Sequence, residues 1–209
     1  MKIKICGITR TADALAAVQC GADAIGFIFF PSSPRYIPPA MAAEIVGALP
    51  AAVLPVGVFV DASRNSIVDA VRVSGIRALQ LHGDEPPQST SGFGLPVFKA
   101  HRVSARFAVE DLDRYAVEAH LLDAYADGSR GGTGRQFNWD VAVRARQAHR
   151  IILSGGLSPE NVKRAIHYVL PYAVDVSSGV EQQPGVKDHL RMCRFIEAAR
   201  GAFERISPS

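Results

Sequence analysis

The stretch Met1-Lys-Ile-Lys-Ile-Cys-Gly-Ile-Thr9 opens the chain and decides how the rest is read. Polar and apolar residues alternate from Lys2 to Ile5 and a glycine bounds the run, which is the pattern of a short β-strand. The strand leads into Cys6, and Cys6 gives way to a Gly-Ile-Thr turn and a helical pattern. If this strand–turn–helix unit repeats, Cys6 stands on the rim where barrels of alternating strands and helices carry their chemistry. A thiol there is either a small buried plug or a titratable group facing a ligand.

The unit does repeat. Asp23–Phe30 is nearly all apolar, as a parallel strand buried on both faces is. Further strand-like runs fall at Leu54–Val60, Arg77–Leu81, Pro96–Ala100, His120–Asp123, Arg150–Leu153 and Ala173–Val176. Helical patterns separate them. Thr11 is placed to cap the first, with Ala12, Leu15, Ala16 and Cys20 on one face and Gly21 as its stop. Pro38-Pro39 opens the second, where Met41, Ile45 and Leu49 are periodic, and Ser63 begins a third that carries Ile67, Val68 and Val71 and ends at Gly75. Asn138 caps another through Val141 and Ala145, with Trp139 expected in the core. Ser158-Pro-Glu160 reads as a helix start, and a last helix from about Val186 puts Leu190, Cys193 and Ile196 on one face. Glu85–Gly94 holds too much Pro, Ser and Gly for more than a short helix, and Phe107–Tyr115 offers an irregular one.

Eight strands alternating with about eight helices predict a single compact (β/α)8 TIM barrel over residues 1–209, below the usual ~250 residues of that fold. A doubly wound open sheet would carry Gly-x-Gly-x-x-Gly after its first strand, and Cys6-Gly-Ile-Thr-Arg-Thr11 does not. No linker or low-complexity tract divides the chain. Apolar residues make up 48% and charged residues 21%, the balance of a soluble globular protein. A net charge of +3, evenly spread, lacks the basic stripe of a nucleic-acid binder and suits an anionic small molecule. Three cysteines, Cys6, Cys20 and Cys193, read as free thiols in a reducing compartment, with Cys20 and Cys193 as packing residues. With no leader pattern and no membrane-spanning run, the expected location is the cytoplasm.

Three glycine turns follow the last three strands: Gly131-Gly132-Thr133-Gly134, Ser154-Gly155-Gly156 and Ser177-Ser178-Gly179. Each alone is a tight turn. In succession, two of them Ser-Gly at strand ends, they point to backbone amides closing on a phosphate, which barrels of this class bind on the loops after strands seven and eight. The expected contacts are Gly132, Thr133, Gly134, Gly155, Gly156, Ser178 and Gly179.

Cys6 and Asp123 end strands one and six, across the mouth of an eight-strand ring. Either has a structural use, as plug or as turn former; together, beside a phosphate site, they look like a base and an acid. Arg35, in the proline-stiffened Pro31-Ser-Ser-Pro-Arg-Tyr36 loop, is placed to grip a carboxylate or to lie in solvent. Asp175, within strand eight, faces a ligand or accepts a structural hydrogen bond. His82 and Asp84 end strand four without an assigned role. No His/Cys spacing suggests a metal and no fingerprint suggests a nucleotide cofactor.

Lys4-Ile-Cys-Gly-Ile-Thr9, Phe30-Pro-Ser-Ser-Pro-Arg-Tyr36, Gln80-Leu-His-Gly-Asp-Glu85, Leu122-Asp-Ala124, Gly131-Gly-Thr-Gly134, Leu153-Ser-Gly-Gly-Leu157 and Asp175-Val-Ser-Ser-Gly-Val-Glu181 through Pro184-Gly-Val-Lys-Asp188 resemble, in order, the motifs of the phosphoribosylanthranilate isomerases. The resemblance spans nearly the whole chain. It implies a (β/α)8 barrel of tryptophan biosynthesis that converts N-(5-phosphoribosyl)anthranilate to the deoxyribulose product by a cofactor-free Amadori rearrangement. It also implies Cys6 as general base, Asp123 as general acid and Arg35 as partner of the anthranilate carboxylate, with a small phosphosugar-anthranilate substrate as the partner and a monomer or homodimer as the assembly. The thin Pro87–Gly92 region departs from the family's fuller fourth helix. A related isomerase of histidine synthesis would carry a carboxylate where Cys6 stands and a two-fold repeat, and a phosphosugar-binding scaffold would have no need of Cys6 opposite Asp123.

Overall fold

The computed structural model describes residues 1–104, 106–124 and 138–206. Eight strands run parallel in chain order: β1 (Ile3–Cys6), β2 (Ala24–Ile28), β3 (Leu54–Phe59), β4 (Ala78–Leu81), β5 (Val97–Val103), β6 (Ala119–Ala124), β7 (Ile151–Leu153) and β8 (Ala173–Val176). β8 pairs with β1, so the sheet closes on itself as a barrel and leaves no open edge. Beyond β8 a small hairpin, β9 (Glu181–Gln183) and β10 (Val186–Lys187), folds over the rim.

The helices are α1 (Thr11–Gln19), α2 (Pro39–Ala48), α3 (Arg64–Ser74), α4 (Asp140–Ala145), α5 (Val162–Val169) and α6 (His189–Ile206). The two thin stretches behave as their composition predicts: only the 3-10 segments Pro87–Thr90 and Val109–Arg114 stand where a fourth and a fifth helix would be. Among the described residues, no helix is long and apolar enough to cross a membrane.

Strand alternation builds two cores. Ile3, Ile5, Leu79, Leu81, Val174 and Val176 face the helices, while Ala24, Val56, Phe98, Leu121, Ile152 and Ala173 fill the barrel. Towards the C-terminal ends of the strands the inward positions turn polar: Lys4 and Cys6 on β1, Gln80 on β4, Asp123 on β6, Asp175 on β8. That switch, from an apolar floor to a polar rim, is what positions the site.

Several helices are rotated or shifted from the sequence reading. α1 has Arg10, not Thr11, at its cap position, and it buries Asp13, Ala14 and Ala17 while Ala12 and Leu15 are exposed. The cause is Asp13, whose carboxylate accepts from the Lys187 backbone N–H at 3.1 Å and lies 2.8 Å from His189 Nε2. An apolar-pattern reading cannot foresee a packed face centred on a carboxylate. Met41, Val68 and Leu190 likewise point to solvent, and Ala42, Ala70, Met192 and Phe195 pack in their place. α5 begins at Val162 rather than at Ser158, because residues 158–161 form a turn held by the Ser158 N–H donating to Asn161 Oδ1 (2.9 Å). α6 begins at His189 because Val186 and Lys187 are taken up by the hairpin. The caps read for α3 hold: Ser63 accepts from the Ser66 N–H, and Gly75 ends the helix in the left-handed conformation (φ 70°). Asn138 accepts from the Asp140 N–H at 3.0 Å at the start of α4, and Trp139 is buried.

The largest correction concerns Cys20 and Cys193. They are not free packing thiols but a disulfide, their Cα atoms 5.2 Å apart across 173 residues of sequence. Closure of the ring makes this possible: β1 lies beside β8, so α1 lies beside α6. The inference of a reducing compartment from three free thiols loses its ground, and Cys6 is left as the free cysteine.

Candidate active site

A cavity of about 660 Å³ opens at the C-terminal ends of the strands, within the range of small-molecule sites. Cys6 enters it from β1, Arg35 from the loop after β2, Asp123 from β6 and Asp175 from β8. Gly155, Gly156, Ser178 and Gly179 line its other wall. Eight of the residues named from sequence thus share one cavity. Gly132, Thr133 and Gly134 lie outside the described residues.

The glycine wall has a physical basis. Gly155 and Gly156 both take left-handed φ values, 80° and 67°, which favour glycine. Gly179 is required for space: a Cβ there would sit 1.9 Å from the Leu157 carbonyl oxygen, so the loops after β7 and β8 touch backbone to backbone.

Below the rim lies a set of buried charges. The Lys4 ammonium is 2.6 Å from Asp175 Oδ1, and the Ser154 hydroxyl donates to Asp175 Oδ2 at 3.2 Å. Arg35 donates through Nε (2.9 and 3.1 Å) and Nη2 (2.7 Å) to Glu181, which also takes Lys187 Nζ at 2.8 Å. Burial raises the Glu181 carboxyl, but Arg35 and Lys187 outweigh it and hold the group below the usual carboxylate range. Burial opposes the charge on Lys4, yet Asp175 and Cys6 outweigh it and raise the ammonium above its ordinary value. Cys6 is pushed up by burial and by Asp175, against the pull of Lys4 and Lys187. Buried ion pairs are weak contributors to stability compared with apolar packing of the same volume. Their concentration under one cavity points to work done there.

Among the described residues, three buried polar atoms of cavity-lining side chains lack a hydrogen-bond partner: Gln80 Oε1, His82 Nε2 and Ser177 Oγ. Buried polar groups are ordinarily satisfied, so these atoms mark polar capacity at the cavity. His82 Nε2 lies 3.4 Å from Asp123 Oδ2, and its Nδ1 is 2.8 Å from Gln80 Nε2. Asp84 turns outward to Arg102 at 3.3 Å, 76% exposed. Of the two residues left open at the end of β4, only His82 belongs to the site. The sequence reading missed Lys4, Gln80, Glu181 and Lys187 as site residues. A lysine or glutamine at an inward position of an otherwise apolar strand was the available signal for the first two.

The chain matches the family model described as N-(5'phosphoribosyl)anthranilate (PRA) isomerase over residues 3–198. It is 49% identical over 199 residues to the N-(5'-phosphoribosyl)anthranilate isomerase of Geobacter sp. (strain M21), covering 95% of this chain and 98% of that protein. Among solved structures, the phosphoribosyl anthranilate isomerase of Thermus thermophilus aligns with a TM-score of 0.88 at 36% identity, covering 96% of this chain and 99% of that one. A phosphoribosyl anthranilate isomerase in complex with reduced 1-(o-carboxyphenylamino)-1-deoxyribulose 5-phosphate aligns with a TM-score of 0.83 at 41% identity, covering 96% and 99%.

Proposed function

The chain belongs to the N-(5'-phosphoribosyl)anthranilate isomerase family, and from that premise we propose that it rearranges N-(5-phosphoribosyl)anthranilate to 1-(2-carboxyphenylamino)-1-deoxyribulose 5-phosphate, with Cys6 as base and Asp123 as acid. The observation that carries this reading is the presence of a thiol from β1 and a carboxyl from β6 in one cavity, next to a wall of glycine amides and an arginine.

The chemistry follows from the residue types. Asp123, entering the cycle with a proton, gives it to the ribose ring oxygen; the C1′–O bond breaks and the nitrogen lone pair forms an iminium. The iminium acidifies C2′, and the Cys6 thiolate removes that proton to leave an enolamine. Ketonisation then places a proton on C1′. One carbon is oxidised and its neighbour reduced within the same molecule, so the reaction asks for no external carrier of electrons. The Gly155–Gly156 and Ser178–Gly179 turns supply N–H groups for the phosphate. Glu181 occupies the Nε–Nη2 edge of Arg35, so the anthranilate carboxylate would meet the Nη1–Nη2 edge instead.

The test is direct. Purified protein mixed with freshly made phosphoribosylanthranilate should abolish its anthranilate-type fluorescence with saturable kinetics. Fluorescence that decays only at the protein-free rate would rule the activity out.

A further inference from the structure

We infer that Lys4 is the positioning residue of the base: its ammonium, held by Asp175 below the cavity and alongside Cys6, favours the thiolate that the rearrangement uses. The inference rests on the assignment of Cys6 above and adds the group that readies it. Lys4 and Cys6 are two residues apart on β1, so both point into the barrel. Lys4 is wholly buried, its Nζ 2.6 Å from Asp175, the residue directly across from it on β8.

The packing around the pair is shaped for their contact. Gly26 lies opposite Cys6 on β2, and a Cβ added to it would come within 2.8 Å of Cys6 Sγ and 3.1 Å of Lys4 Cε. The missing side chain is therefore the space in which the thiol and the lysine stem lie side by side. Burial penalises the charged form of a thiol this deep and holds it above its ordinary value, and the cations beside it offset part of that penalty. Of the charges facing it, Lys4 on β1 and Lys187 on β10 favour the thiolate and Asp175 on β8 opposes it, while Arg35 and Asp123 share the cavity. An apolar side chain would fill the position of Lys4 without the cost of burying an ion. Its charge has a use only next to a group that must itself be charged.

Alkylation of Cys6 by iodoacetamide as a function of pH, followed by mass spectrometry of the unreduced protein, reads the thiolate directly, since the disulfide keeps Cys20 and Cys193 out of reaction. Lys4→Met should move the alkylation midpoint up by about one pH unit or more, a tenfold fall in thiolate at neutral pH. Asp175→Asn should move it down, and Lys4→Met should lower kcat with little change in KM. Should Lys4→Met alone fail to fold around an unpaired Asp175, the comparison is between Asp175→Asn and the neutral double variant Lys4→Met/Asp175→Asn, with the higher midpoint expected in the double variant. Equal midpoints within either pair overturn the inference. Failure of the underlying functional reading looks different: Cys6→Ala would then keep its turnover, whatever the alkylation profile of the lysine variants.

Discussion

The rim at β1, β7 and β8 and the outer wall at β5 and β6 both bury titratable groups, and their histidines and ion pairs are divided unequally between them. At the rim the groups are charged and paired: Lys4 with Asp175 and Lys187 with Glu181 across neighbouring strands, and Arg35 with Glu181 from the loop after β2. On the outer wall His101 Nε2 lies 3.0 Å from His120 Nδ1, the His120 ring is 4.9 Å from that of His149, and His149 reaches Asp113 at 3.0 Å. His101 and His120 are kept neutral. Burial first, then His120 and Lys99, lower His101 to about 3; burial first, then His149, lower His120 to about 4. The cover differs too. The 18-residue α6 runs behind β1 and β8, whereas β5 and β6 are joined through a single 3-10 segment. The wall is not without charge, since Lys99 on β5 pairs with Glu85 at 3.0 Å, but its two most deeply placed rings carry none.

The most forceful way to break this comparison is at the rim. Cys6→Ala and Asp123→Ala should each lower turnover by about 10²- to 10⁴-fold, as removal of a general acid or base does, while product binding measured by fluorescence titration persists. Near wild-type kcat in both variants would leave the charged rim without a catalytic purpose. Next in size, Gly179→Ala forces a Cβ against the Leu157 carbonyl and should cost about 1–3 kcal/mol in denaturant unfolding, together with weakened binding of inorganic phosphate. Unchanged stability would mean that the two loops part easily.

The histidine wall predicts a pH response of its own sign. The folded values of His101 and His120 lie below the ordinary 6.5, so from 6.5 down to about 3 for His101 and about 4 for His120 the unfolded chain takes up protons that the folded protein refuses. Stability is therefore complete above 6.5 and falls as the pH drops through that window, by at most about 1.4 kcal/mol per pH unit for each ring. His120→Phe should flatten the decline of Tm with acid. The smallest effect is expected on the thin side. Arg64 donates through Nη1 to the Ser91 carbonyl (2.9 Å) and through Nη2 to that of Gly92, and its guanidinium stacks 4.4 Å from the Phe93 ring. Arg64→Ala should speed amide hydrogen exchange across residues 87–95 and lower stability by about 1 kcal/mol, with turnover unaffected.

What could be read from the chain divides along the same line. Strand positions were legible because buried parallel strands are continuous apolar runs, and eight of them admit few arrangements. The places of Cys6, Arg35, Asp123, Gly155, Gly156, Ser178 and Gly179 at one cavity were legible because strand ends and the loops after them are rim positions in this fold. Helix faces were harder: α1 packs around Asp13, and a carboxylate whose partners are Lys187 and His189, far along the chain, leaves no local periodic trace. Lys4 was hidden for the opposite reason, since it supplied the polar beat in an alternation that reads as half-exposed while the barrel buries both faces. The Cys20–Cys193 bond was invisible because only ring closure brings the two residues together.

That bond has a topological consequence. With residues 20 and 193 tied, the segment between them, which holds seven of the eight barrel strands, is a covalent macrocycle. A single peptide-bond cut anywhere inside it yields an opened ring and not two molecules, so a nicked chain migrates as one band until reductant is added.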